Sequence, residues 1–202
     1  MGDVQESPTG REAQRLRTRE RVLDAAITEF QRAGAGSADI NAIVDAAGVA
    51  RSTFYFHFPT KEHVLIELER NEQIKLVAEL DGLETETTDL VTVLSTLARL
   101  VLAAERRLGP TVFRGMLALH FSPTRPVEDE LAQHPLAEFL IDVIATAQDA
   151  GRVVTDAHPQ ELATFVLTGL FALLVTGAHD SPAADAVLSR YITTIVQGME
   201  KR

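Results

Sequence analysis

Apolar positions recur at three- and four-residue steps along most of this chain, the spacing of one face of an α-helix, and no stretch alternates as a strand would. From Arg11 to Ala33 the stripe is Leu16, Val22, Leu23, Ala26, Ile27 and Phe30, and the Gly34–Ser37 sequence GAGS ends it. Residues 39–58 then predict two short helices. Ile40, Ile43, Val44 and Ala47 form the first face, Gly48 supplies the left-handed conformation of a sharp turn, and Val49, Phe54 and Phe58 resume the pattern. Asp39 stands where a helix N-cap would accept amide hydrogen bonds. Pro59 breaks the chain, and Thr60 is placed to cap a longer helix running to about Leu83.

The remainder reads as helix throughout. The expected spans are 88–107, about 111–121, and 127–150 with a kink at Pro135. Two more follow, from Pro159 to about Ala178 and from Pro182 to about Met199. The predicted class is therefore all-α, with about nine helices in three stretches: a disordered lead-in at 1–10, a helix-turn-helix domain at 11–59 and a helical domain at 60–202. The helix from Pro159 is apolar almost all round, and the last one carries Leu188, Tyr191, Ile192, Ile195, Val196 and Met199 on one broad face. So much apolar surface suggests either a two-fold interface through about 159–199, eased by Gly169, Ala172 and Gly177, or a buried hairpin within one chain.

Composition narrows the function. The net charge is −10, which taken alone argues against a nucleic-acid partner. Its distribution changes that. Residues 11–63 carry eight Lys or Arg against seven Asp or Glu, whereas residues 64–202 carry eleven against twenty. Arg11, Arg15, Arg17, Arg19 and Arg21 fall within eleven residues, as a solvated helix face or a phosphate-facing arm. With no cysteine, neither a disulfide nor a thiolate metal site is possible. The six histidines make no metal-spaced pair and no glycine-rich phosphate loop is present, so neither a metal, a cofactor nor an enzyme is expected. The longest apolar run, from Phe165, is too short to span a membrane, and the N-terminus has no apolar signal core, so the expected location is the cytoplasm.

Helix, glycine turn and a short helix rich in donors is the sequence form of a helix-turn-helix. The residues AGVARSTFYFHFPTKEHVL resemble the signature of the TetR (tetracycline repressor) family of bacterial transcriptional regulators. They do so through Ile43-Val44, Gly48-Val49, Ser52-Thr53-Phe54-Tyr55, His57-Phe58 and Thr60-Lys61-Glu62. The match covers residues 18–65, about a quarter of the chain. It departs from the pattern at Val44, where alanine is usual, and at Asp39, where a Ser or Thr that touches phosphate is common. The resemblance implies an Ω-shaped homodimer in which the first three helices bind double-stranded DNA, the fifth to seventh surround an effector and the last two dimerise.

In that geometry the helix at about 50–56 enters the major groove. Arg51 is the candidate base reader, because a guanidinium can bond guanine bidentately; Ser52 and Thr53 are short donors to bases or phosphates. Tyr55 and His57 would contact phosphates, as their family equivalents do, and Lys61 would add a phosphate contact at a helix N-terminus. Phe54 and Phe58 are expected in the core. Phe113, Met116, Leu117, His120, Phe121, Phe139, Phe165 and Phe171 could line an effector cavity suited to a small lipophilic molecule, or be ordinary core. The expected function is a repressor released from a palindromic operator by such an effector. The alternative is a helical protein-interaction regulator with none.

Overall fold

The computed structural model describes residues 10–83, 89–126, 134–177 and 184–201, so the expected disordered lead-in lies outside the described residues. Among them are nine α-helices and no strand. The order is α1 (Gly10–Ala33), α2 (Ile40–Ala47), α3 (Arg51–His57), α4 (Lys61–Leu80), α5 (Leu90–Leu108), α6 (Pro110–Ala118), α7 (Pro135–Asp149), α8 (Pro159–Val175) and α9 (Ala184–Met199), with a 3-10 turn, Leu119–Phe121, after α6. No helix among the described residues is long and apolar enough to cross a membrane.

The chain divides into two compact units after Val64, inside α4. Pro59 thus ends α3 without ending the first unit. The ammonium of Lys61, in the first turn of α4, donates to the carbonyl oxygens of Gly36 and Ala38 at 2.8 and 3.3 Å.

In the first unit Val22, Ala26, Phe30, Ile43, Phe54, Phe58 and Val64 are fully enclosed, following the apolar spacing of the sequence. Leu16, which continues the α1 stripe towards the N-terminus, is instead half exposed. The α2–α3 turn is built as its residues predict. Asp39 caps α2 by accepting from the Asn41 amide at 2.8 Å, and Gly48 closes it at φ 62°, ψ 43°. Glu29 of α1 fixes the start of α2 by accepting from the Asp39 amide at 3.0 Å, while Arg32 grips both of its carboxylate oxygens at 2.7 Å.

In the second unit α7 packs on α8, α8 on α6 and α9, and α5 on α6 and α9. Pro135 does not kink a long helix; it opens α7 at the first position, where proline's missing amide and fixed φ are harmless. Pro159 does the same for α8, with Glu161 reaching back to the His158 amide at 3.0 Å. The end of α9 is tied to the α7–α8 connection by an isolated antiparallel bridge between Val153 and Glu200.

Burial departs most from the sequence pattern on α4. Alongside Leu65, Leu68, Leu76 and Leu80 it buries Glu69, Glu72 and Gln73. A helix whose inward face mixes leucine with carboxylates has no clear amphipathic stripe.

Candidate DNA-reading face and ligand cavity

The outer surface of α3 carries Arg51, Ser52, Tyr55 and Phe56, with Thr53 half-buried beside them. Arg51 is held before any ligand arrives. One guanidinium nitrogen donates to Asn41 Oδ1 at 3.1 Å, another approaches the Tyr55 hydroxyl at 3.4 Å, and the guanidinium carbon lies 5.7 Å from the Tyr55 ring centroid. Tyr55 in turn rests edge-on against the buried Phe54 ring. An ordered guanidinium beside two short hydroxyl side chains suits the edges of base pairs, because less rotamer freedom is lost on contact.

Two of the expected contacts sit differently. His57 is only 7% exposed, because it ends α3 on the inward side with Phe54. Burial, followed by the positive charges of Arg19 and Arg15, pushes its pKa below the ordinary histidine value, so the ring is a neutral inner residue and not a cationic phosphate contact. Lys61 has already committed donors to the α1–α2 loop. An ammonium has three hydrogens, which leaves one for a phosphate.

Sequence reasoning passed over Phe56, which is 68% exposed and carries the Arg15 guanidinium 5.4 Å from its ring centroid. Its signal was positional: on a helix of seven residues, Phe54 and Phe58 share the inner face, and Phe56 falls between them on the other side. The basic segment of α1 also divides in two. Arg11, Arg15, Arg17 and Arg21 are exposed, while Arg19 is half-buried and bonded to the end of α3.

In the second unit a cavity of about 170 Å³ lies against α7 and α8. Three of the eight expected lining residues meet there, His120, Phe121 and Phe171. Phe113, Met116 and Leu117 are packed core around a gap of only about 20 Å³. Phe139 and Phe165 line neither space. On α7 the cavity takes Leu136, Ala137 and Ile141, and Phe139 projects from the far side of that helix. On α8 it takes Ala163, Thr164, Leu167 and Thr168, and Phe165 lies about a third of a turn away, 60% exposed. Phe165 joins Tyr191, Thr194 and Ile195 in an outward groove of about 310 Å³ on α8 and α9.

One end of the cavity is polar. Glu69 is buried beneath it and takes hydrogen bonds from His120 Nε2 and, at 2.8 Å, from Gln73 Nε2, with Arg125 3.6 Å from its other oxygen. Burial pushes the Glu69 pKa up, but the His120 hydrogen bond and the charges of His120, Arg125 and His134 outweigh it and hold the carboxyl below its ordinary value. Among the described residues no group of three or more His, Cys, Asp or Glu is arranged to hold a metal ion.

The helix-turn-helix with its flanks, residues 22–68, matches the sequence pattern of the bacterial regulatory proteins of the tetR family. That segment is a helix-turn-helix of the tetR family. Over 76 residues it is 38% identical to the HTH-type transcriptional repressor KstR of Mycobacterium tuberculosis, a stretch covering 38% of this chain and 34% of KstR. The chain thus spans about a third of the length of the curated relatives it matches. Over nearly the whole length only the fold is shared. FadR of Thermus thermophilus, a TetR-family repressor solved with lauroyl-CoA, superposes with a TM-score of 0.72 at 23% identity, covering 89% of this chain and 91% of FadR. The ketosteroid regulator KstR2 of Mycobacterium tuberculosis does so with a TM-score of 0.54 at 19% identity, covering 91% and 95%. The chain therefore shares sequence with these proteins in the helix-turn-helix, while its second unit follows their fold with residues of its own.

Proposed function

We propose that this protein is a homodimeric DNA-binding transcriptional repressor, released from a near-palindromic operator when a small lipophilic effector enters the second unit. The observation that carries the reading is Arg51, presented on the outer face of α3 in contact with Asn41 and Tyr55. Arg51 reads a base, Ser52 and Thr53 bond bases or phosphates, and Tyr55 and the remaining Lys61 donor contact phosphates. His57 supports this face from within. Two copies meet through α8 and α9, where Phe165, Val187 and Tyr191 leave an apolar surface exposed or half-exposed. A dimer of this kind reads half-sites about one turn, ~34–36 Å, apart or a multiple of it.

The effector acts by population shift. Gln73 on the cavity wall and Glu69 beneath it both belong to α4, whose first turn lies in the DNA-binding unit. A ligand that prefers one setting of α4 biases the reading helix with it. The lipid-linked relatives, KstR2 by its ketosteroid designation and FadR by its bound lauroyl-CoA, favour a lipophilic class of effector. The test is selection of bound sequences from random DNA, repeated with candidate lipophiles. Recovery of a palindromic consensus that a lipophile weakens supports the reading, and recovery of no consensus sinks it.

A further inference from the structure

Phe56 is an apolar side chain that the core of the first unit does not use. Phe54 and Phe58 are fully enclosed, while Phe56, between them, is the most exposed large hydrophobic residue among those described. A phenyl ring left in water gives up burial that the fold could otherwise use. The ring is nonetheless held in place. The Arg15 guanidinium carbon lies over it, 5.4 Å from the centroid, and the His57 ring meets it edge-on with centroids 5.2 Å apart. These contacts order the ring before any partner arrives, so little rotamer freedom is left to lose on binding.

Its place on α3 gives the ring a use. Residues four apart are neighbours on a helix surface. Arg51 and Tyr55 form one column, with a guanidinium nitrogen 3.4 Å from the hydroxyl, and Ser52 and Phe56 form the next. Both columns lie on the outer surface, away from the buried Phe54 and His57. At ~1.5 Å of rise per residue, Arg51 and Phe56 stand about 7.5 Å apart along the axis, within the ~12 Å width of the major groove of B-DNA. A helix that brings Arg51 to base edges therefore brings Phe56 into the same groove.

Chemistry limits what the ring can meet there. Phenylalanine has neither donor nor acceptor on its side chain, so it bonds neither a phosphate nor a polar base edge. The apolar group that a base pair presents in the major groove is the C5-methyl of thymine. The charge beside the ring points the same way. Arg15 and, one turn earlier on α1, Arg11 are exposed cations. A purely apolar surface laid on Phe56 would strip water from the Arg15 guanidinium without compensation. Duplex DNA offers a methyl group to the ring and a phosphate to the cation together.

We propose that Phe56 is a specificity-determining residue, which reads a thymine in the operator half-site through its C5-methyl group. This rests on reading α3 as the DNA-reading helix. It adds a preference that hydrogen bonds from Arg51, Ser52 and Thr53 do not supply, because a methyl group is recognised by shape and apolar contact alone.

The experiment starts from the operator that random-DNA selection with the full chain recovers. Each thymine of one half-site is replaced in turn by deoxyuridine, which pairs identically and lacks only the methyl group, and affinity is measured by fluorescence anisotropy. At one position the unaltered protein should lose about fourfold, the worth of one methyl group removed from water. Phe56→Ala should bind the thymine operator more weakly and no longer distinguish thymine from uracil at that position, while keeping its preference at the base that Arg51 reads. A merely structural role would lower affinity for both operators together and leave the uracil penalty in place, which overturns the assignment. So does an unaltered protein indifferent to uracil at every position, whether or not Phe56→Ala folds. A Phe56→Ala chain that binds the operator as tightly as the unaltered protein leaves the ring for a protein partner and also overturns it. Failure of the selection to yield any operator removes the DNA-reading interpretation itself, which no outcome of the uracil series does.

Discussion

Arg19 holds the end of α3: its Nη1 donates to the backbone carbonyl of His57 at 2.7 Å, and its guanidinium carbon lies 4.3 Å from the Phe58 ring centroid. The His57 carbonyl is one of the acceptors that the C-terminus of α3 cannot satisfy by itself, and a cation there also meets the negative end of the helix dipole. One arginine of a cluster that reads as a phosphate-facing arm is thus a structural clamp. Arg19→Met, which keeps the apolar stem, should destabilise the first unit by about 1.5–3 kcal/mol, the usual range for a charged hydrogen bond. Amide exchange of α3 and urea unfolding would show it, and unchanged α3 protection would contradict the clamp.

Arg51 and Lys61 should separate specificity from affinity. Arg51→Ala should cost about 1–3 kcal/mol on the preferred site and relax base choice there. Lys61→Ala should weaken all sequences by a similar factor. It should also loosen the α1–α2 loop, because its two carbonyl contacts go with it. Binding of cognate and random DNA by each variant checks both, and an equal loss on the two DNAs for Arg51→Ala would remove its base-reading role.

Gly169 and Tyr191 make the closest approach between α8 and α9. A Cβ at 169 would clash with the Tyr191 hydroxyl oxygen and stand 2.7 Å from two of its ring carbons. The tyrosine cannot swing aside freely, since its hydroxyl donates to the carbonyls of Val166 and Phe165 at 2.7 and 3.1 Å. Gly169→Ala should therefore destabilise the second unit by about 1–3 kcal/mol, despite alanine's better helix propensity. Tyr191→Phe should relieve none of the crowding from the ring and lose about 1 kcal/mol of hydrogen bonding. Thermal unfolding of the two variants and the double variant measures the coupling.

The outward groove beside that contact makes a separate prediction. Phe165→Asp should give a monomer at micromolar concentration by light scattering and weaken operator binding, because a charge would be buried at the proposed two-fold interface. A dimer unaffected by the change would place the interface elsewhere.

Acid should loosen the first unit through two groups. The Arg32 hydrogen bond, then the Asp39 backbone bond, pull the Glu29 carboxyl down to about 2 from 4.5. A depressed carboxyl contributes its stability in full above the unfolded value and loses it as pH falls from there through about 2. The His57 pKa is also lowered, so its contribution is complete above the ordinary 6.5 and declines as pH falls below it. The stability gap between the native protein and Glu29→Gln should narrow between about pH 5 and 2. A constant gap across that range would show that the Glu29 carboxylate adds nothing through its charge.

The sequence by itself determined the helices and the α2–α3 turn, because those depend on local physics. Apolar spacing of three and four residues, a glycine at φ 62° and an aspartate capping two residues ahead act within one or two turns of chain. It also showed the tetR-family pattern of the helix-turn-helix, since that pattern occupies one continuous stretch. The tertiary structure decided which way each side chain turned. Phe165 and Phe171 look equivalent on a helix that is apolar nearly all round, yet one faces outward and the other closes the cavity. His57 and Arg19 read as contacts until packing turned them inward. The polar end of the cavity was least visible of all. Glu69 and His120 lie 51 residues apart in sequence, and no local pattern marks a carboxylate on α4 as the partner of a histidine beyond α6. Their relation is set by long-range packing, which brings together residues that chain order keeps apart.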